Sequence, residues 1–210
     1  YDKARSFDSD FRIVNSKSNF ITKSDYSDLS ESPYSLYQND FHPYFETIGI
    51  INIRKKMINK FVNQRESIIL YGVDKEVLNS TLSIENFLLS DKYYFNKENI
   101  IIGFELAKIL NIGIGDSLAL LVTNDIGRIT FDYFKIVNIY DTGTKYDALI
   151  AFIPFKSAQN LLTKDSMLHY ATGLLFDKIS IDKQKYLNNY ISLRNNSDLL
   201  NHNQHKLKII

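Results

Sequence analysis

The chain has 210 residues, 44% of them apolar and 13% aromatic, which is enough for one packed domain or two small ones and excludes a disordered protein. Its formal net charge of +1 gives no strong field to favour nucleic acid or an acidic membrane surface. The absence of Cys excludes disulfides, thiolate zinc sites and a cysteine nucleophile, and leaves the compartment open because exported domains often lack disulfides. No apolar run approaches about 18 residues and no secretory core is present, so the expectation is a segment excised from a larger protein.

Residues 10–15 read as a strand, and a short helix is predicted within residues 24–37. Residues 46–53 and 57–62 alternate loosely and are predicted to pair, with Arg54, Lys55 and Lys56 as the solvated tip of the hairpin. Residues 67–73 are a continuous apolar run ending in Gly72-Val73-Asp74, as expected of a strand leaving a sheet. A partly helical connection over 75–89 and a polar turn over 91–97 follow.

Residues 99–122 are the most informative stretch. The β-branched run Ile100, Ile101, Ile102 turns at Gly103 into a short helix whose Leu106, Ile109 and Leu110 recur at helical spacing. Asn111 and Gly113 stop the helix, Gly115 and Asp116 make a turn suited to a residue without Cβ, and residues 118–122 resume as a buried strand. Thr123, Asn124, Asp125, Ile126, Gly127 and Arg128 join that strand to a long one over 129–140, and Asp125-x-Gly127 suits a compact hairpin loop. The loop is mostly polar, with Ile126 its one apolar residue and Arg128 a charged contact. It is predicted to protrude as the candidate partner-contact surface. Further on, 148–153 reads as a buried strand, Pro154 opens a helix over 155–162, and 171–176 is a strand. A helix is predicted over 182–192, with Tyr186, Leu187, Tyr190 and Ile191 on one face.

The residues with catalytic potential do not assemble into a set. Asp141-Thr142-Gly143-Thr144 resembles the aspartic-protease signature, but that chemistry needs two carboxylates sharing a proton, and a single copy is better read as a turn in which Gly143 supplies a permissive φ. Gly113-x-Gly115 follows a helix and opens a strand, the reverse of a dinucleotide loop. His202 and His205 are spaced for one helical face, yet no carboxylate or thiolate completes a metal site; His42 reads as a turn residue and His169 as a buried partner to a carbonyl. No catalytic, cofactor or metal residue is assigned. Order and lengths of the elements argue an α+β fold.

Two blocks carry a family resemblance. Gly103, Leu106-Ala107 and Gly113-Ile114-Gly115-Asp116 form the first; the second runs from Phe134 through Asp141-Thr142-Gly143, Tyr146-Asp147 and Ile153-Pro154 to Ala158-Gln159-Asn160-Leu161-Leu162. Together they resemble the extracytoplasmic domain of lipoprotein-releasing (Lol-type) ABC transporter permease proteins, which belong with the MacB-like and FtsX-like permeases. The resemblance implies a MacB-like periplasmic core: a split mixed α/β subdomain over 1–74 and 166–210, with a strand-rich subdomain over 75–165 inserted into it. It implies a non-enzymatic role in lifting lipoproteins from the inner membrane. The implied partners are a second permease subunit in a homo- or heterodimer, a cytoplasmic ABC ATPase reached through the membrane part, the lipoprotein, and a periplasmic lipoprotein chaperone. Where the chaperone-recruiting permease has a longer Pro-containing hook, this chain has about six residues without Pro. A MacB-like efflux or FtsX-like signalling permease, and a free-standing extracytoplasmic binding or sensor module, are the alternatives.

Overall fold

A computed structural model of the chain describes residues 12–31, 41–57, 60–166, 169–176, 187–195 and 206–210. Among them nine strands run in chain order: β1 (Arg12–Asn15), β2 (Phe41–Met57), β3 (Lys60–Val73), β4 (Asn99–Gly103), β5 (Ser117–Thr123), β6 (Ile129–Tyr140), β7 (Ile150–Pro154), β8 (Gly173–Phe176) and β9 (Leu207–Ile209). The helices are short: α1 (Lys23–Glu31), α2 (Lys75–Asn79), α3 (Phe104–Leu110) and α4 (Phe155–Leu162), with 3₁₀ turns at Ile84–Phe87 and Lys145–Ala148 and a further helical segment over 187–195.

The strands lie in the order β3-β7-β4-β6-β5-β2-β8-β1-β9, and β3 also pairs with β2, so six of them close into a barrel. β2 organises the sheet because it is long enough to serve three neighbours. It pairs with β3 from Phe45↔Gly72 to Met57↔Lys60, with β5 from Gly49↔Val122 to Asn52↔Ala119, and with β8 from Phe41↔Phe176 to Tyr44↔Gly173. β8, β1 and β9 form an antiparallel wing continuing from its first residues. Parallel pairings of β3 with β7 and of β4 with β6, with antiparallel pairings of β4 with β7 and of β5 with β6, complete the wall.

Period-2 alternation sets the barrel interior. Phe45, Ile51, Leu70, Ile100, Ile102, Leu118, Leu120, Phe134, Ile136, Ala151 and Ile153 point inward and pack with Leu106 and Leu110 of α3 and Phe155, Ala158 and Leu161 of α4. α4 approaches β3 so closely that a Cβ on Gly72 would lie 2.1 Å from the Ala158 Cβ. On one outer side the wall is buried a second time, where Val77, Leu78, Leu82 and Ile84 cover Tyr71, Ile101, Ile150 and Phe152.

This closed, sheet-rich mixed fold with few short helices replaces the α+β, MacB-like split core with an inserted strand-rich subdomain. Strands from residues 41–73 and from 99–154 meet in one hydrogen-bonded wall, because β3 zips onto β7 and β2 onto β5. Two local expectations also change. Arg54, Lys55 and Lys56 are not a hairpin tip but lie within β2, opposite Asn63, Val62 and Phe61; of the strand predicted over 57–62, Met57 ends β2, residues 58–59 lie outside the described residues, and residues 60–62 run on into the predicted 67–73 strand as β3. His42 is not in a turn but in β2, opposite Leu175. Residues 32–37 and 182–186 of the predicted helices lie outside the described residues, as do His202 and His205.

Candidate functional site

The loop between β5 and β6 is held by its own first side chain. Asn124 Oδ1 accepts the backbone N–H groups of Ile126 (3.2 Å) and Arg128 (2.8 Å), the Asn124 amide donates to the Arg128 carbonyl (2.8 Å), and Gly127 takes φ +75°. Asn and Gly are the residues that make such a turn inexpensive, one through its side-chain acceptor and the other through its freedom at positive φ. Thr123 closes the ladder opposite Ile129.

The loop does not stand clear of the domain as the sequence suggests. Asp125 turns inward, its side chain only 2% exposed, and accepts a hydrogen bond from the Lys164 amide (3.0 Å) while His169 Nδ1 lies at 2.5 Å. The Asp125 amide donates to the Leu162 carbonyl (2.8 Å) and Thr130 Oγ1 to the Leu161 carbonyl (2.8 Å). Both are terminal carbonyls of α4 that have no partner within the helix, so the hairpin caps α4. Burial on its own raises the Asp125 carboxyl, but hydrogen bonds from His169 and the Lys164 amide outweigh it and hold the group below the usual carboxylate value. His169, expected to meet a carbonyl, meets this carboxylate instead, and its ring packs 4.8 Å from that of Phe20. Thr123, Ile126 (47% exposed), Gly127 and Arg128 are the exposed residues of the loop.

Beside the loop a groove of about 790 Å³ runs between the barrel and the wing, lined by Arg12, Tyr44, Glu46, Ile48, Thr123 and Asn124 among others. Arg12 Nη1 donates to Glu46 Oε2 at 2.8 Å and its guanidinium lies 5.6 Å from the centre of the Tyr44 ring. Burial raises the Tyr71 hydroxyl behind this pair to about 12, with the Glu46 charge adding to the effect.

The turn residues of the two sequence blocks have separate structural tasks. Gly103 precedes α3 in extended backbone; Asn111, at φ +49°, ends that helix; Gly115 takes φ +97°. Asp116 Oδ2 accepts the Gly113 amide at 2.8 Å. In the Asp-Thr-Gly segment, Asp141 is exposed and its carboxylate accepts the Gly143 amide (3.0 Å), with Gly143 at φ +66°. Buried Asp147, which the sequence shows only as part of the second block and without a task, accepts hydrogen bonds from the Thr142 hydroxyl (2.5 Å) and from the Thr142 and Thr144 amides.

A second feature was not anticipated. The outer face of β2, β5 and β6 carries Ile48 (73% exposed), Ile50 (41%), Ile129 (74%), Phe131 (61%) and Tyr133 (65%). Cross-strand register aligns Ile50, Leu121 and Phe131 in one row and Asn52, Ala119 and Tyr133 in the next. The alternation of β6 could have disclosed it, but apolar residues at both parities around Phe134 mask which face is buried.

No family model matches the chain, and no curated protein sequence matches it. Among solved structures, a domain provisionally described as part of a permease protein from Porphyromonas gingivalis is similar over 95% of this chain and 89% of that one. The two are 8% identical, with a TM-score of 0.43. A TM-score at this level does not establish a shared fold. Among the described residues, no helix is long and apolar enough to cross a membrane.

Proposed function

We propose that the chain is a non-catalytic, extracytoplasmic domain of an ABC transporter permease that helps extract lipoproteins from the inner membrane and passes them to a periplasmic carrier. A separate cytoplasmic ATPase drives the cycle through the membrane part of the full-length protein, and a second permease subunit completes the assembly. The resemblance of residues 99–162 to lipoprotein-releasing permeases supports this reading. The observation that carries it is the uncovered apolar face of β2, β5 and β6 with the 123–128 loop at its end. Such a surface suits contact with other chains, where large exposed apolar patches on soluble domains concentrate. The site's polar groups are engaged in fixing backbone: Asn124 and Asp125 hold the loop, Asp141 and Asp147 hold the 141–148 segment. Extraction of an acylated protein is uphill by roughly 0.8 kcal/mol per CH₂ withdrawn from the bilayer, so ATP and a mechanical linkage are both required.

Affinity purification of the full-length protein from its native membrane tests the reading. The expected result is co-purification of an ABC ATPase and of acylated proteins, with the Ile126→Ala/Arg128→Ala variant folding normally and releasing less lipoprotein to a carrier in reconstituted vesicles. Recovery of neither ATPase nor acylated cargo would overturn it.

A further inference from the structure

The apolar face of β2, β5 and β6 has a shape and composition of its own, and we infer that it is a self-association surface on which a second copy of this chain packs, face to face about a two-fold axis near Leu121. This inference does not depend on the transport reading. The same barrel supplies the contrast that motivates it: on β3, β7 and β4 the outer face is sealed by Val77, Leu78, Leu82 and Ile84, whereas on β2, β5 and β6 no described segment covers Ile48, Ile50, Ile129, Phe131 and Tyr133.

Size is the first argument for a second copy. Weighting the exposures of these five residues by ordinary side-chain areas gives an apolar patch of roughly 600 Å², at the upper end of what monomeric proteins leave uncovered. With its polar rim this approaches the ~800 Å² per partner of a stable protein interface.

Shape and charge are the second. Outward positions on the face, from Ile48, Ile50 and Asn52 on β2 through Ala119 and Leu121 on β5 to Ile129, Phe131 and Tyr133 on β6, carry no charge. Homodimer interfaces are the most apolar class, while those with transient partners resemble ordinary surface. Arg54 and Lys135, with exposed Arg65 opposite Asn52, stand toward one end of the face, and a two-fold axis lying in the interface across the strands places each copy's basic end away from the other's. The net charge of +1 adds little long-range repulsion. An acyl chain is a poorer occupant, because sites for small apolar ligands are concave and enclose most of the ligand, whereas two sheet faces bury one another at a spacing of ~10 Å.

Sedimentation equilibrium of the 210-residue chain tests the proposal. A mass of twice 24.4 kDa is expected at micromolar concentration, and Phe131→Asp should weaken dimerisation by about a hundredfold with an unchanged circular dichroism spectrum. The chain has no Cys, so single-cysteine variants report geometry independently. Leu121→Cys should be joined into a covalent dimer by a bismaleimide that spans about 10 Å, the spacing of packed sheets, and Lys108→Cys, at an exposed position of α3, should not. A monomer at several hundred micromolar would overturn the proposal, as would a dimer that withstands Phe131→Asp while Leu121→Cys stays uncrosslinked. A monomer that instead takes up detergent or vesicle lipid through Phe131 would also overturn it.

Discussion

Gly103 and Asp147 meet backbone to backbone: a Cβ on Gly103 would stand 2.1 Å from the Asp147 carbonyl oxygen and 2.6 Å from its carbonyl carbon. The contact joins the end of β4, where α3 begins, to the 3₁₀ turn over Lys145–Ala148, and so ties together the two sequence blocks that carry the family resemblance. No flexible side chain lies in the way that could move aside, so even the smallest substitution must displace main chain. Gly103→Ala should therefore destabilise by roughly 2–3 kcal/mol, the range for overpacking a rigid interior. Urea denaturation checks this, and a midpoint within error of the parent would contradict the close approach.

Two aspartates six residues apart should behave oppositely. Asp147 is 1% exposed and accepts from the Thr142 hydroxyl and from the Thr142 and Thr144 amides, so Asp147→Ala leaves buried donors unsatisfied and should destabilise by about 3 kcal/mol. The exposed Asp141 carboxylate accepts the Gly143 amide, a bond that an Asn Oδ1 can also accept. Asp141→Asn should stay within about 0.5 kcal/mol of the parent and leave no peptidase activity to lose. Pepstatin-sensitive cleavage abolished by that change would refute the turn assignment.

Local order was legible where residues determine their own geometry. The succession from Ile100 through Gly103, α3 and Gly115 to β5 follows from β-branched residues, a capping Asn and a glycine at positive φ, all within two dozen residues. Closure of the barrel was not legible, because it depends on pairings such as Ile69↔Ile150 and Gly49↔Val122 whose partners are more than seventy residues apart. Neither was the length of β2 and β3, since Lys55, Lys56, Asn63 and Gln64 break the apolar alternation while their backbone continues the ladder. The inward turn of Asp125 escaped notice for a similar reason: its partners, Lys164 and His169, come from a segment that only the fold brings near. Asp and Gly spaced by one residue signal a loop, and carry no information on which side chain faces the protein.

The two glycines of the turn before β5 should differ. Gly115 has φ +97°, and both its amide and the Asp116 carbonyl bond to Ile136, fixing where β5 starts against β6. A β-branched residue is an outlier in that conformation, so Gly115→Val should destabilise by more than about 1 kcal/mol although nothing lies within 4 Å of its Cβ position. Gly113 has equal room and is not among the positive-φ residues. Gly113→Ala should be neutral or stabilising by about 0.5 kcal/mol, through the lost freedom of the unfolded chain. Thermal melts of the pair decide the matter, and equal losses would mean that space rather than φ governs the turn.

The clasp between the 123–128 loop and the end of α4 should respond to acid. Asp125 accepts the Lys164 amide and lies 2.5 Å from His169 Nδ1, and these hydrogen bonds, outweighing the effect of burial, hold its carboxyl below the ordinary value. A carboxyl with a lower pKa in the folded than in the unfolded chain binds fewer protons when folded. Its contribution to stability is then complete above the unfolded value of about 3.9 and is lost as the pH falls through the folded one. The Asp125 carboxylate's contribution to the clasp is accordingly lost only below about pH 4. Asp125→Asn removes this dependence: the variant should be less stable than the parent by about 1–3 kcal/mol at pH 7, from the lost charge-assisted hydrogen bonds. That gap should narrow steadily as the pH is lowered from 5 to 2. Urea titrations of both proteins across this range measure it, with the fluorescence of a probe at Ile126→Cys reporting the loop itself. A gap that stays the same at pH 7 and pH 2 would mean that the Asp125 carboxylate does not hold the loop to α4.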